Sequence, residues 1–441
     1  MAKSVSIHTL GCKLNYSESS TIAKQLVAKG LDLKRFGEKS DIFILNTCTV
    51  TESADKECRQ IIRSVIRNNP DTFVVVTGCY AQLKPEEIAS IKGVDLVIGS
   101  NEKFRITDYL QDVLEGNLSC AGQETKPGIY VSPLNELTVL GEGLTQDTDA
   151  RTRAFLKIQD GCDYTCSYCT IPFARGGSRS LPVTKVIENA KKIVADGYKE
   201  IVLTGVNVGD YNFEGNKLID VLYKLEKTEI ERIRISSIEP NLLSDEIIEL
   251  VAGSEKFCNH FHIPLQSGDR EILRLMQRRY KLETYEKLIY KIKEIISDCG
   301  IGVDVIVGFP GETDERFENT FNFLSSLPVT YLHTFSYSER DNTKSAKMEN
   351  KVPVRTIKER SRILRNLSMR KKADFWSGSI GTEHRVLFET LKNDSDMEIE
   401  GWTENYIRVK TGYKEGIENS VKNVKLTIPE GTKPVECEII S

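Results

Sequence analysis

The first hundred residues repeat one pattern: a strand-like run, a cysteine-bearing turn and a helix. Ser4–Leu10 runs into Gly11-Cys12, and a helical stretch follows over Ser17–Lys29. Asp41–Leu45 enters Asn46-Thr47-Cys48-Thr49 and hands over to a helix at Ala54–Arg67. Thr72–Val76 enters Thr77-Gly78-Cys79-Tyr80, a short helix begins near Pro85, and Val94–Ile98 is a fourth strand. Such alternation predicts a parallel sheet flanked by helices. Ligands bind open parallel sheets at the C-terminal strand ends, and Cys12, Cys48 and Cys79 each fall just past one. Neighbouring strands lie about 4.8 Å apart, so three such turns can bring their thiols to one soft centre. The alternative is three buried thiols, since Cys is among the most buried residue types. Cys58 lies mid-helix and reads as packing; Cys120, Cys258, Cys299 and Cys437 show no partner spacing.

A second group of cysteines follows the strand-like run Phe155–Ile158. Cys162, Cys166 and Cys169 stand at spacing C-x3-C-x2-C, with the aromatic Tyr168 before the third. Three thiolates this close can face one metal centre. Three is one short of a structural tetrahedral zinc or a closed four-iron cluster, and the next Cys and His downstream are Cys258 and His260. A three-cysteine [4Fe–4S] cluster leaves one iron open to a ligand. A zinc ribbon lacking a ligand and buried structural thiols are the alternatives. Eleven cysteines without a secretion signal read as metal or redox chemistry rather than a disulfide scaffold.

From 154 to 373 a longer repeat appears. Strand candidates are Phe155–Ile158, Glu200–Thr204, Arg232–Ser236, Phe261–Leu265, Ile301–Val307 and Tyr331–Ser336; helical stretches are Val183–Ala195, Leu218–Leu225, Ser244–Val251, Tyr285–Ile296, Glu315–Leu327 and Thr356–Lys372. Six β/α units predict a partial (β/α)6 barrel with function at the C-terminal strand ends. Those ends carry Thr204-Gly205-Val206-Asn207, Glu239, Gln266, Gly308–Thr313 and Ser336–Arg340. Eight basic residues between Arg355 and Lys372, against Glu359 alone, suit phosphate contacts; a solvated helix face is the bland reading. Beyond Phe375, short β-type runs at His384–Glu389, Tyr406–Lys410, Val421–Thr427 and Val435–Ile440 predict a small antiparallel barrel of oligonucleotide-binding type. The fold class is α/β throughout, and the expected domains are 1–114, a linker with little regular structure at 115–150, a core at 151–374 and the barrel at 375–441. A net charge of −4 announces no global nucleic-acid field. With no apolar signal core and no membrane-length apolar run, the expected compartment is the cytoplasm.

Taken together, the motifs resemble the radical S-adenosylmethionine (SAM) methylthiotransferases over the whole chain. The markers are Leu10–Asn15, Asn46–Val50, Thr77-Gly78-Cys79, Cys162–Cys169, Pro172–Gly176, Pro264–Gly268 and Val307–Thr313. Gly11-Cys12-Lys13-Leu14-Asn15 is similar to the branch acting on N6-threonylcarbamoyladenosine at tRNA position 37, although Leu14 stands where Val is expected. The isopentenyladenosine branch typically has Gln-Met after that cysteine, and the ribosomal-protein aspartate branch Pro-Lys.

The resemblance implies that Cys162, Cys166 and Cys169 hold the radical SAM [4Fe–4S] cluster, and Cys12, Cys48 and Cys79 an auxiliary one. It implies two SAM molecules per turnover: one methylates a sulfur on the auxiliary cluster, the other yields the radical that takes hydrogen from adenine C2. That C–H bond has no acidic proton, so a cofactor must supply the chemistry. Tyr168, Thr204, Gly205, Asn207, Glu239 and Gln266 are the implied SAM contacts. Lys13, Arg175, Arg278 and Tyr280 are candidates for the modified base, and Arg362, Arg365 and Arg370, with the C-terminal TRAM barrel, for the tRNA anticodon stem-loop. An electron donor such as flavodoxin or ferredoxin, a sulfur donor the sequence does not identify, no membrane and a monomeric state complete the expectation. Competing outcomes are simple radical SAM methylation, needing one cluster, and a non-catalytic RNA-binding zinc protein.

Overall fold

The computed structural model describes residues 3–115, 126–136, 140, 141, 143, 152–391, 397–428, 431 and 433–440; Cys120 lies outside them. The chain forms two compact units. The first comprises Met1–Gln146, Phe155–Leu181 and Ser338–Thr343, and the second Asp147–Ala154, Pro182–Tyr337 and Lys344–Ser441.

In the first unit, β1 (Ser4–Thr9), β2 (Asp32–Lys34), β3 (Ile42–Thr47), β4 (Phe73–Gly78), β5 (Leu96–Ile98) and β6 (Gly128–Tyr130) make one sheet, ordered β2-β1-β3-β4-β5-β6. Every pairing is parallel. Its central strands are continuous apolar runs, as burial on both faces requires. Alternate residues serve opposite cores. Ile42 and Ile44 pack with Val5, Ile22 and Leu26; Phe43 and Leu45 pack with Cys58, Ile62 and Val76. Helix α1 (Lys13–Ala28) therefore covers one face and α2 (Glu52–Asn68) the other. The hydroxyl of Thr51 accepts from Ala54 N at 3.2 Å and caps α2. Short helices α3 (Cys79–Leu83), α4 (Pro85–Ala89), α5 (Ile106–Tyr109) and α6 (Gln111–Glu115) complete the sheet's cover.

Two expectations change here. Helix α1 starts directly after Cys12, four residues before the expected Ser17, because buried Asn15, Ser17, Glu18 and Ser19 hide the apolar period of its first turns. The stretch read as a linker contributes β6 to the sheet, pairing Val97 with Ile129. Residues 155–181, in which β7 (Arg153–Lys157) ends, are compact with the first unit. The antiparallel pair β8 (Gln159–Asp160) and β9 (Arg179–Ser180) brackets the cysteine loop, and α7 (Ile171–Arg175) lies within it.

The second unit carries five of the six strands expected of the partial barrel. β10 (Glu200–Thr204) is followed by the hairpin β11 (Asn212–Phe213) and β12 (Asn216–Lys217), then by β13 (Arg232–Ile235), β14 (His260–His262), β15 (Gly300–Val307) and β16 (Tyr331–Ser336). β10 pairs with β13, and β14 with β15 and β15 with β16, all in parallel. A bridge from Ser237 to His262 joins the two sets. The intervening helices are α8 (Val183–Ala195), α9 (Leu218–Glu226), α10 (Asp245–Gly253), α11 (Arg270–Leu275), α12 (Leu282–Ile295), α13 (Asp314–Ser326) and the long α14 (Val354–Gly378). The expected C-terminal barrel is closed: β17 (Glu383–Phe388), β18 (Glu398–Trp402), β19 (Arg408–Gly412), β20 (Val421–Leu426) and β21 (Val435–Ile439) run in the order β17-β18-β19-β21-β20. Its β19–β21 pair is parallel, unlike the others. β18 was not expected, since Glu398-Ile399-Glu400-Gly401-Trp402 holds a glycine within a short run. No described helix is long and apolar enough to cross a membrane.

Two arginines fasten this barrel to the strands. Arg232 and Arg234, on one face of β13, both pair with the buried Glu200 of β10, at 2.9 and 3.0 Å. Their remaining N–H groups donate to the carbonyls of Arg385, Trp402, Thr403 and Glu404. Burial pushes the Glu200 carboxyl up, but Arg234 and Arg232 outweigh it and hold it at about 2. A carboxyl depressed on folding contributes stability above its ordinary range that is lost as pH falls toward the folded value. Wild-type stability is therefore expected to drop between about pH 5 and pH 2 partly through Glu200. Glu200→Gln should lose about 3 kcal/mol near neutrality and flatten that acid limb, read by thermal unfolding across pH.

Candidate functional site

Strands β1, β3 and β4 are neighbours, so Cys12, Cys48 and Cys79 stand at three adjacent strand ends. Cys12 is exposed, Cys48 half-buried and Cys79 buried. The turns touch. Gly11 has φ +107°, and a Cβ there would lie 2.7 Å from Cys48 Cβ and 3.0 Å from its Sγ. Gly78 has φ +95°, and a Cβ there would lie 2.5 Å from Thr47 O. Asn15 stitches two of the turns: its Nδ2 donates to Leu10 O at 2.8 Å and Thr47 O at 3.0 Å. Burial, with Cys79 and Cys12 close by, pushes the Cys48 thiol up to about 12. Three crowded thiols suit a soft cationic centre, which would take them as thiolates and relieve their mutual repulsion. This donor set fits an iron–sulfur cluster.

The second cysteine group lies in the same compact unit as the first. Gly161, with φ +73°, lets the chain pass so close to Gly177 that a Cβ would lie 1.9 Å from its carbonyl oxygen. Cys162 N donates to Gly176 O at 3.1 Å, and Cys169 N to Cys166 O at 3.1 Å. Tyr164 N points at Cys162 Sγ, 3.4 Å away, a donor aimed at a thiolate. Cys162, Cys166, Cys169 and Tyr168 are all half-buried. Three accessible thiols on one short loop fit the expected cluster.

A buried ion network lies beside both groups. Glu18 pairs with Lys103 at 2.6 Å, Lys157 at 2.9 Å and Arg175 at 2.9 Å; Asp160 pairs with Lys157 at 2.7 Å and Arg175 at 2.9 Å. Arg175 is 2% exposed, and its guanidinium is engaged by Glu18, Asp160 and Asn15. Burial raises the Glu18 carboxyl, but Arg175, Lys103 and Lys157 outweigh it and hold it well below its usual range.

Arg340, beyond the end of β16, was not singled out. It belongs to the first unit, where its Nη2 donates to Asp55 Oδ2 at 2.7 Å and Thr49 Oγ1 at 2.6 Å, next to Cys48. Only its place in a polar strand end signalled it. Cys58, Cys258, Cys299 and Cys437 are buried.

In the second unit, Thr204, Gly205 and Asn207 close β10, with Thr204 and Asn207 buried. Gln266 takes φ +68°, rare outside glycine, and its N–H donates to Asp304 O. Glu239 is ion-paired with Arg278, so one residue expected at SAM and one expected at the base neutralise each other. Tyr280 is buried, and its hydroxyl donates to Leu265 O. Lys13 is exposed in the first unit. On α14, Arg362, Arg365 and Arg370 are exposed. Arg360 is not part of that basic face: it is buried against Glu312 at 2.7 Å and Asp314 at 2.6 Å. His262, Asp304 and His333, unread in the sequence, meet on β14, β15 and β16, with His262 Nε2 and Asp304 Oδ1 2.8 Å apart.

Residues 156–324 match the radical SAM superfamily, and residues 4–99 an uncharacterized protein family, UPF0004. Fold and cysteine groups thus define a radical SAM enzyme. A threonylcarbamoyladenosine tRNA methylthiotransferase MtaB of Aquifex aeolicus is 38% identical over 414 residues, 93% of this chain and 97% of that protein. Its namesake in Bacillus subtilis is 38% identical, over 96% of this chain and 93% of its own. A tRNA-2-methylthio-N(6)-dimethylallyladenosine synthase of Bacillus subtilis is 32% identical, over 94% and 82%. The solved radical S-adenosylmethionine methyltransferase TsrM of Kitasatospora setae shares the fold, at TM-score 0.58 and 14% identity over 78% of this chain and 77% of its own. The chain belongs to the radical SAM methylthiotransferase family.

Breaking the Arg340–Asp55 pair leaves a buried charge, so Arg340→Ala should cost about 3–5 kcal/mol. Arg340→Met with Asp55→Leu should recover most of that loss in chemical denaturation, because no charge is then stranded.

Proposed function

We propose that the chain inserts a methylthio group at C2 of N6-threonylcarbamoyladenosine at position 37 of tRNA. The observation that carries this reading is near full-length likeness, at 38% identity, to proteins named for that activity, joined to two cysteine triads in one compact unit. Cys162, Cys166 and Cys169 hold one [4Fe–4S] cluster, and Cys12, Cys48 and Cys79 the other. When bound, the clusters and SAM supply the electron, the radical and the sulfur that protein side chains lack. The chain's own work is positional. Gly11 and Gly78 let three turns converge, and Gly161 folds the second loop back on itself. Thr204, Gly205, Asn207, Glu239 and Gln266 are assigned to SAM. The Glu239–Arg278 pair fixes the carboxylate's direction, and the left-handed Gln266 aims its amide.

Lys13, exposed at the start of α1 next to Cys12, is the cation assigned to the carboxylate of the threonylcarbamoyl group. The anticodon stem-loop lies on Arg362, Arg365 and Arg370 and the C-terminal barrel. A flavodoxin or ferredoxin as reductant, a monomeric state and a cytoplasmic location belong to the same reading.

The substrate is tested by offering anticodon stem-loops carrying threonylcarbamoyladenosine or isopentenyladenosine in competition and reading added methylthio by mass spectrometry. Label on the threonylcarbamoyl form is expected. A site that pairs polar substrate groups rejects an analogue lacking them. Equal label, or label on the isopentenyl form alone, overturns the substrate. Neutralising Arg362, Arg365 and Arg370 together should make the salt dependence of tRNA binding shallower by about two units of log–log slope; an unchanged slope moves the RNA to another surface.

A further inference from the structure

We infer that Arg175 is a positioning residue for the cluster held by Cys12, Cys48 and Cys79, and that its buried positive charge raises that cluster's reduction potential. The inference rests on the assignment of those cysteines as ligands.

Three contacts carry it. First, Arg175 Nη2 donates to Asn15 Oδ1, which leaves the Asn15 Nδ2 to donate to Leu10 O and Thr47 O. Those carbonyls belong to the residues just before Gly11-Cys12 and Cys48. The orientation of one amide thus spaces two of the three ligand turns, and the guanidinium sets that orientation. Second, Cys12 Sγ lies 3.9 Å from the same Oδ1, so Arg175 is one side chain away from a ligand sulfur. Third, Arg175 Nη1 donates to Glu18 Oε1 and Asp160 Oδ1, both at 2.9 Å. Glu18 is on α1, which begins right after Cys12, and Asp160 is two residues before Cys162. A single planar fork therefore braces the approaches to both triads.

The charge balance agrees with this role. Lys103, Lys157 and Arg175, with Arg179 at the rim on Asp160 at 3.8 Å, outnumber Glu18 and Asp160, so the network is net positive. A reduced cluster is more negative by one electron than an oxidised one. A fixed cation in a low-dielectric interior favours the reduced form, and hydrogen bonding and charge around thiolate clusters set their potentials. Lysine would keep the charge but not the fork that serves Glu18, Asp160 and Asn15 together.

The test uses the full-length chain with Cys162, Cys166 and Cys169 replaced by alanine, so that only the other triad holds iron, loaded anaerobically. It must first bind about four irons. If it does not, the ligand assignment falls and the inference with it. In the loaded chain, Arg175→Gln should lower the reduced-to-oxidised ratio at a fixed poised potential about tenfold, a fall of about 59 mV for one electron. Arg175→Lys should stay within about threefold of the parent ratio yet release iron to a chelator about tenfold faster, because its point charge cannot brace Asn15 as the fork does. An unshifted ratio in the glutamine variant overturns the electrostatic role. Iron release at the parent rate in the lysine variant overturns the positioning role, and this arm decides should the glutamine variant fail to fold.

Discussion

The buried carboxylate of Glu18 is the interaction on which the first unit depends. It lies on α1 and receives Lys103, Lys157 and Arg175, three cations from distant parts of the chain. Burying charges costs several kcal/mol each unless they are well paired, and an apolar replacement of matched shape is often as stable. Such a network is therefore a poor way to add stability. What it adds is register. Segment 155–181 could meet a sheet's apolar cover in several ways, but Lys157 and Arg175 both reach Glu18 in only one. The second cysteine loop is thereby keyed to the strand ends that carry the first cysteines.

In the second unit, charge again fixes geometry where apolar packing would leave freedom. Glu200 holds Arg232 and Arg234 so that their outer N–H groups meet four barrel carbonyls. The C-terminal barrel is fastened through backbone carbonyls, which any barrel sequence would offer. Trp376, from the end of α14, adds an apolar peg by entering the barrel core. Glu312 holds Arg360 in the same way and subtracts it from a helix face that otherwise bristles with cations.

Much of this was legible before the coordinates. The apolar runs of β3 and β4 read directly as buried parallel strands, and the cysteines after them mark the sheet edge where parallel sheets bind ligands. β10 and β15 were legible for the same reason, whereas β13 and β14 alternate apolar with cationic or histidine side chains. What escaped was whatever tertiary pairing decides. The first turns of α1 bury Asn15 and Glu18, so no apolar period marks them. β6 is three residues long and owes its strand to a neighbour, Leu96–Ile98. Arg175, at the end of a five-residue helix, looks from sequence like a free cation. Only the convergence of Glu18 and Asp160, 157 and 15 residues away, shows that it is spent. Arg340 was illegible for the same reason, since its partners Thr49 and Asp55 lie almost three hundred residues earlier in the chain.

The assignment to be measured is two three-cysteine clusters in one compact unit. Iron and acid-labile sulfide in anaerobically loaded protein measure it most directly. About eight irons are expected per chain, falling to about four in Cys48→Ala and about four in Cys162→Ala, with SAM cleavage retained only in the former. About four irons in the unaltered chain, or loss of all iron from either variant alone, would contradict it.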